Sequence, residues 1–199
     1  MKNCEELNLK KIRDNLRIYS EKYSDQLNFD EKKFKKAAVL VLLVCIEGEW
    51  NLLFTKRSET LKNHKGQVSF PGGAVENQDK DIISTAIREA EEEIGISESN
   101  LHIIGKMPEF LTISDFAVTP VVAVLDWPIP LVISTNEVSK VFSIPIKWLQ
   151  QPNIYDERIY TLPNGFHGEV IFFKPYDDEI LWGISAKITV EFISEIINK

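Results

Sequence analysis

Apolar and polar positions change their spacing several times along the chain, and each change marks an element. Over residues 1–36 the chain is charged, with Leu9, Ile12 and Leu16 recurring at helical spacing. That narrow stripe predicts an N-terminal helix that packs on the domain rather than a domain of its own. Ala37 to Ile46 is an unbroken apolar run rich in β-branched residues, which reads as a buried strand. Glu47-Gly48-Glu49 turns the chain, and Trp50 to Thr55 returns as a second strand of a hairpin. Residues 56–79 show no period and contain Gly66, Pro71, Gly72 and Gly73. A segment that long without regular structure is usually functional. Residues 80–95 read as a helix with Ile82, Ile83, Ala86, Ile87, Ala90 and Ile94 on its apolar face and Gly95 as its C-cap.

Strands follow near 101–106, 118–125, 156–162 and 169–174. A short helix fits Ile146 to Gln151 after Pro145, and a last helix fits Ser185 to Asn198, with Ile188, Phe192 and Ile196 on one face. This order of strands, helix, strands, helix predicts the α+β class, a mixed sheet flanked by helices. Residues 1–36 are expected to be a helical extension and residues 37–199 the domain.

Composition narrows the partners. The 199 residues carry a formal net charge of −7, against the basic surplus of a general nucleic-acid binder. A divalent cation would still let such a chain hold an anionic ligand. The apolar run at 37–46 falls far short of the roughly 20 residues a membrane helix needs. Cys4 and Cys45 have neither metal-site nor disulfide spacing. Cys45 reads as a small buried hydrophobe in a reducing, cytoplasmic setting.

The sharpest chemical signal is Arg88-Glu89-Ala90-Glu91-Glu92-Glu93-Ile94-Gly95. At about 100° per residue, Glu89, Glu92 and Glu93 share an arc of roughly 100° beside the buried stripe, while Glu91 points away to solvent. Arg88 lies one turn before Glu92 and can hold it by a charge-assisted hydrogen bond. Grouping three like charges costs stability, and a hard divalent cation removes that cost. Upstream, Gln67-Val68-Ser69-Phe70-Pro71-Gly72-Gly73-Ala74-Val75-Glu76 delivers paired glycines onto the same helix. Backbone can approach a metal or phosphate there with no Cβ in the way. Together they point to metal-dependent phosphate chemistry.

These residues resemble the box of the Nudix hydrolases, G-x5-E-x7-R-E-U-x-E-E-x-G-U with U aliphatic. Gly73 begins it, and Arg88 to Ile96 matches its second half at every fixed position, with Ala90 as a small U. The first half departs: Asp79 stands at the Glu position, followed by a gap of eight residues rather than seven, and Asp79 is read as the helix N-cap. Leu52-Leu53-Phe54-Thr55-Lys56-Arg57, Leu61 and His64-Lys65-Gly66-Gln67-Val68-Ser69-Phe70-Pro71-Gly72-Gly73 are similar to the signature of the coenzyme A pyrophosphatase branch. Val118–Val122, Glu137-Val138 with Val141-Phe142 and Ile144-Pro145, and Trp182–Ala186 resemble its later stretches.

The resemblance implies a Nudix α/β/α sandwich and hydrolysis of the diphosphate in a nucleoside diphosphate derivative. For that branch the substrate is coenzyme A or its thioesters, cut to 3′-phospho-AMP and a 4′-phosphopantetheine product with Mg2+ or Mn2+. It implies Glu89 and Glu93 as metal ligands with the Gly73 carbonyl, Glu92 as third ligand or water-orienting base, and Arg88 as the group that positions Glu92. Lys56, Arg57, Lys62, His64 and Lys65, with Gln67 and Gly72, are the candidate substrate contacts, the basic ones toward a 3′-phosphate. The expected partner is a small-molecule diphosphate, with neither nucleic acid nor membrane; a homodimer is compatible.

Alternatives are another Nudix substrate such as ADP-ribose or a dinucleotide, a decapping enzyme, or a non-catalytic nucleotide-binding module. The intact acids of the box weigh against the last, and the acidic balance against decapping. His102 and His167 read as surface or ordinary core positions. Glu137 reads as a helix cap before it reads as a base on a mobile loop. Trp182 and Phe116 read as core packing before they read as a stacking surface for an adenine.

Overall fold

The computed structural model describes residues 4, 7–24, 33–61, 64–161 and 167–199. β1 (Lys35–Ile46) is the spine of the molecule. It pairs antiparallel with β2 (Glu49–Arg57) through the expected hairpin and parallel with β7 (Phe116–Leu125). The sheet runs β3 (Val68–Ser69), β2, β1, β7, β5 (Leu101–Lys106). β4 (Gly72–Ala74) joins β1, β6 (Phe110–Leu111) joins β7, and β8 (Val138–Pro145) joins β2. One parallel pair among antiparallel ones makes the sheet mixed.

The unbroken apolar run of β1 follows from burial on both faces. Ala38, Leu40, Leu42 and Val44 pack with Ala86, Ile87, Ala90 and Ile94 of α2 (Ile82–Ile94). Ala37, Val41 and Leu43 pack in a second core with Ile12 and Leu16 of α1 (Leu9–Ser24), and with Ala186 and Ile188 of α4 (Gly183–Glu191). Strand alternation thus sends neighbouring residues to opposite helical layers, giving an α+β sandwich. The stripe of α1 extends to Tyr19, whose hydroxyl donates to the Glu191 carboxylate.

Several expectations need correction. β8 lies in a stretch read without a strand, and β3 and β4 lie inside the stretch read as irregular. β9 (Tyr155–Thr161) and β10 (His167–Phe173) form a separate hairpin instead of extending the sheet. α3 spans only Ile146–Leu149, and the last helix changes to π-helical pairing over Phe192–Ile197. Cys4 and Cys45 are joined by a disulfide with a Cα–Cα distance of 6.0 Å, and Cys45 is half-buried at the end of β1. The bridge closes a long loop that sequence spacing does not reveal. Among the described residues no helix is long and apolar enough to cross a membrane.

Candidate active site

β4 occupies the edge of β1 beyond the stretch that β2 pairs. Gly72 and Gly73 lie opposite Val39 and Ala38, and the Leu40 amide donates to the Pro71 carbonyl at 2.8 Å. A Cβ on Gly72 would collide with the Ala38 carbonyl, and one on Gly73 would fall inside the Glu89 carboxylate. Paired glycines are needed here because the turn is wedged between β1, against Gly72, and the acidic helix, against Gly73.

α2 begins at a capping box. Asp81 accepts from the Ser84 amide at 2.8 Å, and the Ser84 hydroxyl caps the Asp81 amide at 2.9 Å. Asp81 is therefore the N-cap and Asp79 is not. Gly95 closes the helix at φ 72°, its amide reaching the Ala90 and Glu91 carbonyls. The following loop continues that closure: the Ser134 amide donates to the Glu93 carbonyl at 2.9 Å and the Val132 amide to Ile94 at 3.1 Å.

Arg88 binds what the turn and the helix bring together. It grips Asp79 with two nitrogens at 2.9 and 3.1 Å, donates to the Ala74 carbonyl at 3.0 Å, and reaches Glu89 at 2.9 Å and Glu92 at 3.1 Å. Asp79 also accepts from the Glu76 amide and the Thr85 hydroxyl. The Arg88 guanidinium and these donors outweigh burial and hold the Asp79 carboxyl well below the usual carboxylate range. The acid left out of register by the longer gap thus anchors Arg88.

Glu93 is the deepest of the α2 glutamates, with 4% of its side chain exposed, against 15% for Glu89 and 54% for Glu92. Burial pushes its carboxyl up to about 8, opposed by Arg57 at 3.8 Å and by the Gly72 amide, and reinforced by Glu89. One oxygen, Glu93 Oε2, has no hydrogen-bond partner, and neither does Arg57 Nε. Burial likewise raises the Glu89 carboxyl, opposed by Arg88 and reinforced by Glu92 and Glu137. Glu91 is exposed to solvent. An orphaned buried carboxylate oxygen beside a glycine cradle is a chemical fit for a hard cation with oxygen ligands. Among the described residues no three potential ligands converge on one point in this arrangement; Arg88 instead binds the oxygens of Glu89 and Glu92.

The basic candidates separate. Arg57 faces Glu93 on the α2 side of the sheet. Lys56, its neighbour in the strand, points to the other face and pairs with Glu179 at 3.0 Å, so it does not join the acids. His64 is exposed and hydrogen-bonds Gln67 at 2.9 Å, and the Gln67 carbonyl accepts from the Arg57 amide at 2.9 Å. Lys65 is exposed; Lys62, and Lys32 of the basic run at 32–36, lie outside the described residues. Glu137 caps no helix. It ends a turn at Ser134, its carbonyl takes the Ser58 amide at 2.8 Å, and its charge acts on Glu89 and Glu93. Trp182 stacks on Phe172 at 5.3 Å and meets Tyr160, while Phe116 is half-buried near Lys35. His102 pairs with Asp126 and His167 with Thr161, both exposed. Glu179 and Ser139 escaped sequence reasoning, since neither belongs to a periodic or motif pattern.

The NUDIX domain family profile matches residues 34–164. Proteins of Yersinia pestis (strain Pestoides F) and Yersinia pseudotuberculosis serotype O:1b, each named an uncharacterized Nudix hydrolase NudL, are 35% identical over 156 residues, covering 77% of this chain and 76% of theirs. The crystal structure of a MutT/nudix family protein from Enterococcus faecalis superposes with a TM-score of 0.51 at 16% identity, over 94% of this chain and 73% of that one, a likeness of fold. The chain belongs to the Nudix family and is a pyrophosphohydrolase.

Proposed function

We propose that the protein hydrolyses coenzyme A or its thioesters at the diphosphate bridge, giving 3′-phospho-AMP and a 4′-phosphopantetheine product. The observation that carries the phosphate chemistry is the buried, unpartnered Glu93 oxygen beside the glycine turn and Arg57. The substrate class rests on the sequence signature from Leu52 to Gly73. Glu89, Glu93 and the Gly73 carbonyl are the assigned ligands of Mg2+ or Mn2+. Such an ion, when bound, neutralises the bridging oxygens and eases formation of a nucleophilic water.

This chain's own groups do the rest. Glu92, held by Arg88 at 3.1 Å, orients the attacking water and takes its proton. The water oxygen forms a bond to one phosphorus, the bond from that phosphorus to the bridging oxygen breaks, and the bridging oxygen leaves on the other phosphate. Arg57, whose side chain keeps 29% of its surface open beside Glu93, holds a phosphate oxygen through its guanidinium. Gly72 lets the turn lie against β1 with its amide on Glu93, and Gln67 fixes the Arg57 backbone through its carbonyl. His64, joined to Gln67, and Lys65 lie toward solvent, where a 3′-phosphate would sit.

Incubating the protein with coenzyme A and Mg2+ and separating the products by chromatography tests this reading. Appearance of 3′-phospho-AMP supports it. Intact coenzyme A beside cleaved ADP-ribose or dinucleotide assigns the chain to another Nudix substrate.

A further inference from the structure

Lys56 and Lys140 lie directly opposite each other on β2 and β8, on the face turned away from α2. Lys140 lies 5.2 Å from the centre of the Phe142 ring, which packs on the core of that face. Two like charges in direct cross-strand register repel. Glu179, with 10% of its side chain exposed, spans both: one oxygen is 3.0 Å from Lys56 and the other 3.2 Å from Lys140. It comes from the stretch between β10 and α4, outside the residues matched by the family profile.

The pair it clamps is the last regular one before the ladder slips. Immediately after Lys56, Arg57 lies opposite Val138, leaving Ser139 as an extra residue. The Ser139 hydroxyl closes this bulge by donating to the Lys56 carbonyl at 3.1 Å, with the Arg57 carbonyl at 3.4 Å. The Ser58 amide then donates to the Glu137 carbonyl at 2.8 Å. Bulges re-aim side chains and recur beside active sites. This one bears Arg57 toward Glu93 on one face while Lys56 goes to the other.

We propose that Glu179 is a positioning residue for Arg57: by tying Lys56 to Lys140 across the strands, it fixes the bulge that aims Arg57 at the acidic helix. The inference rests on the hydrolase reading only for its kinetic arm. Glu179 touches no acid of the α2 site, so any influence on catalysis must pass through the strand pair.

The test is a cycle of Glu179→Gln, Arg57→Ala and the double variant, assayed with coenzyme A and, in parallel, ADP-ribose. Glu179→Gln should raise KM roughly ten-fold while kcat changes much less, the mark of lost uniform binding. In the Arg57→Ala background it should add nothing, because both changes remove one interaction. Hydrogen exchange read by NMR gives a measure independent of substrate: the Ser58 amide should exchange about ten-fold faster in Glu179→Gln. Full additivity with Arg57→Ala, or unchanged Ser58 exchange, overturns the proposal. Should Glu179→Gln fail to fold, Lys140→Gln, which leaves the Lys56–Glu179 pair in place, enters the same cycle. Intact coenzyme A with the native protein would sink the substrate reading alone, since Ser58 exchange still decides this one.

Discussion

At the scale of single residues the site is organised by charge. Arg88 is shared among three acids and one carbonyl, and its planar fork grips Asp79 with two nitrogens. A lysine carries the charge without the fork. Arg88→Lys should therefore lower kcat by roughly 10- to 100-fold while the protein remains folded, read by steady-state kinetics alongside a thermal melt. Glu93 offers a different handle. Its folded value of about 8 lies above the ordinary 4.5. Protonation then favours the folded state, a contribution fully present below 4.5 and lost as pH rises toward 8. In EDTA, Glu93→Gln escapes that loss, so its Tm should gain on the native protein between these values, and Mn2+ should narrow the gap. A Tm difference that stays flat with pH would mean Glu93 is not strained by burial. The same variant should cost at least about 100-fold in kcat.

At the scale of elements, α2 was the most legible part of the sequence, because its apolar period, its acids and Gly95 are all local signals. Its start was less so. Two aspartates precede the helix, and local chemistry suits either as a cap; Asp79 is withdrawn from the role because Arg88 holds it. Asp81→Ala should cost about 1 kcal/mol in urea unfolding with kcat little changed. Asp79→Ala should reduce activity through a freed Arg88 and also lower stability, because it leaves a mostly buried guanidinium without its main partner. β8 was not legible. Its inward residues make sense only against β2, and its bulge depends on a serine that meets carbonyls of a distant strand.

At the scale of the whole molecule, two cores on opposite faces of one sheet join α1, α4 and α2 into a single body. The Cys4–Cys45 bridge adds a constraint across 41 residues. By loop-closure entropy, Cys4→Ser should lower unfolding stability by about 2–4 kcal/mol, and a reducing agent should erase the difference from the native protein. Equal stability of the two in non-reducing buffer would show that the bond does not form in solution.

Local order along the chain is enough to encode a helix with three acids on one arc, a glycine turn ahead of it, and a strand hydrophobic on both sides. These depend on periods of 3.6 and 2 residues and on residues close along the chain. It took the folded chain to show that adjacent Lys56 and Arg57 serve opposite faces, that Asp79 anchors Arg88, that Glu179 reaches back to β2, and that Cys4 meets Cys45. Each of those is set by a strand register, a bulge or a chain crossing between residues far apart in sequence, and no local pattern carries that information.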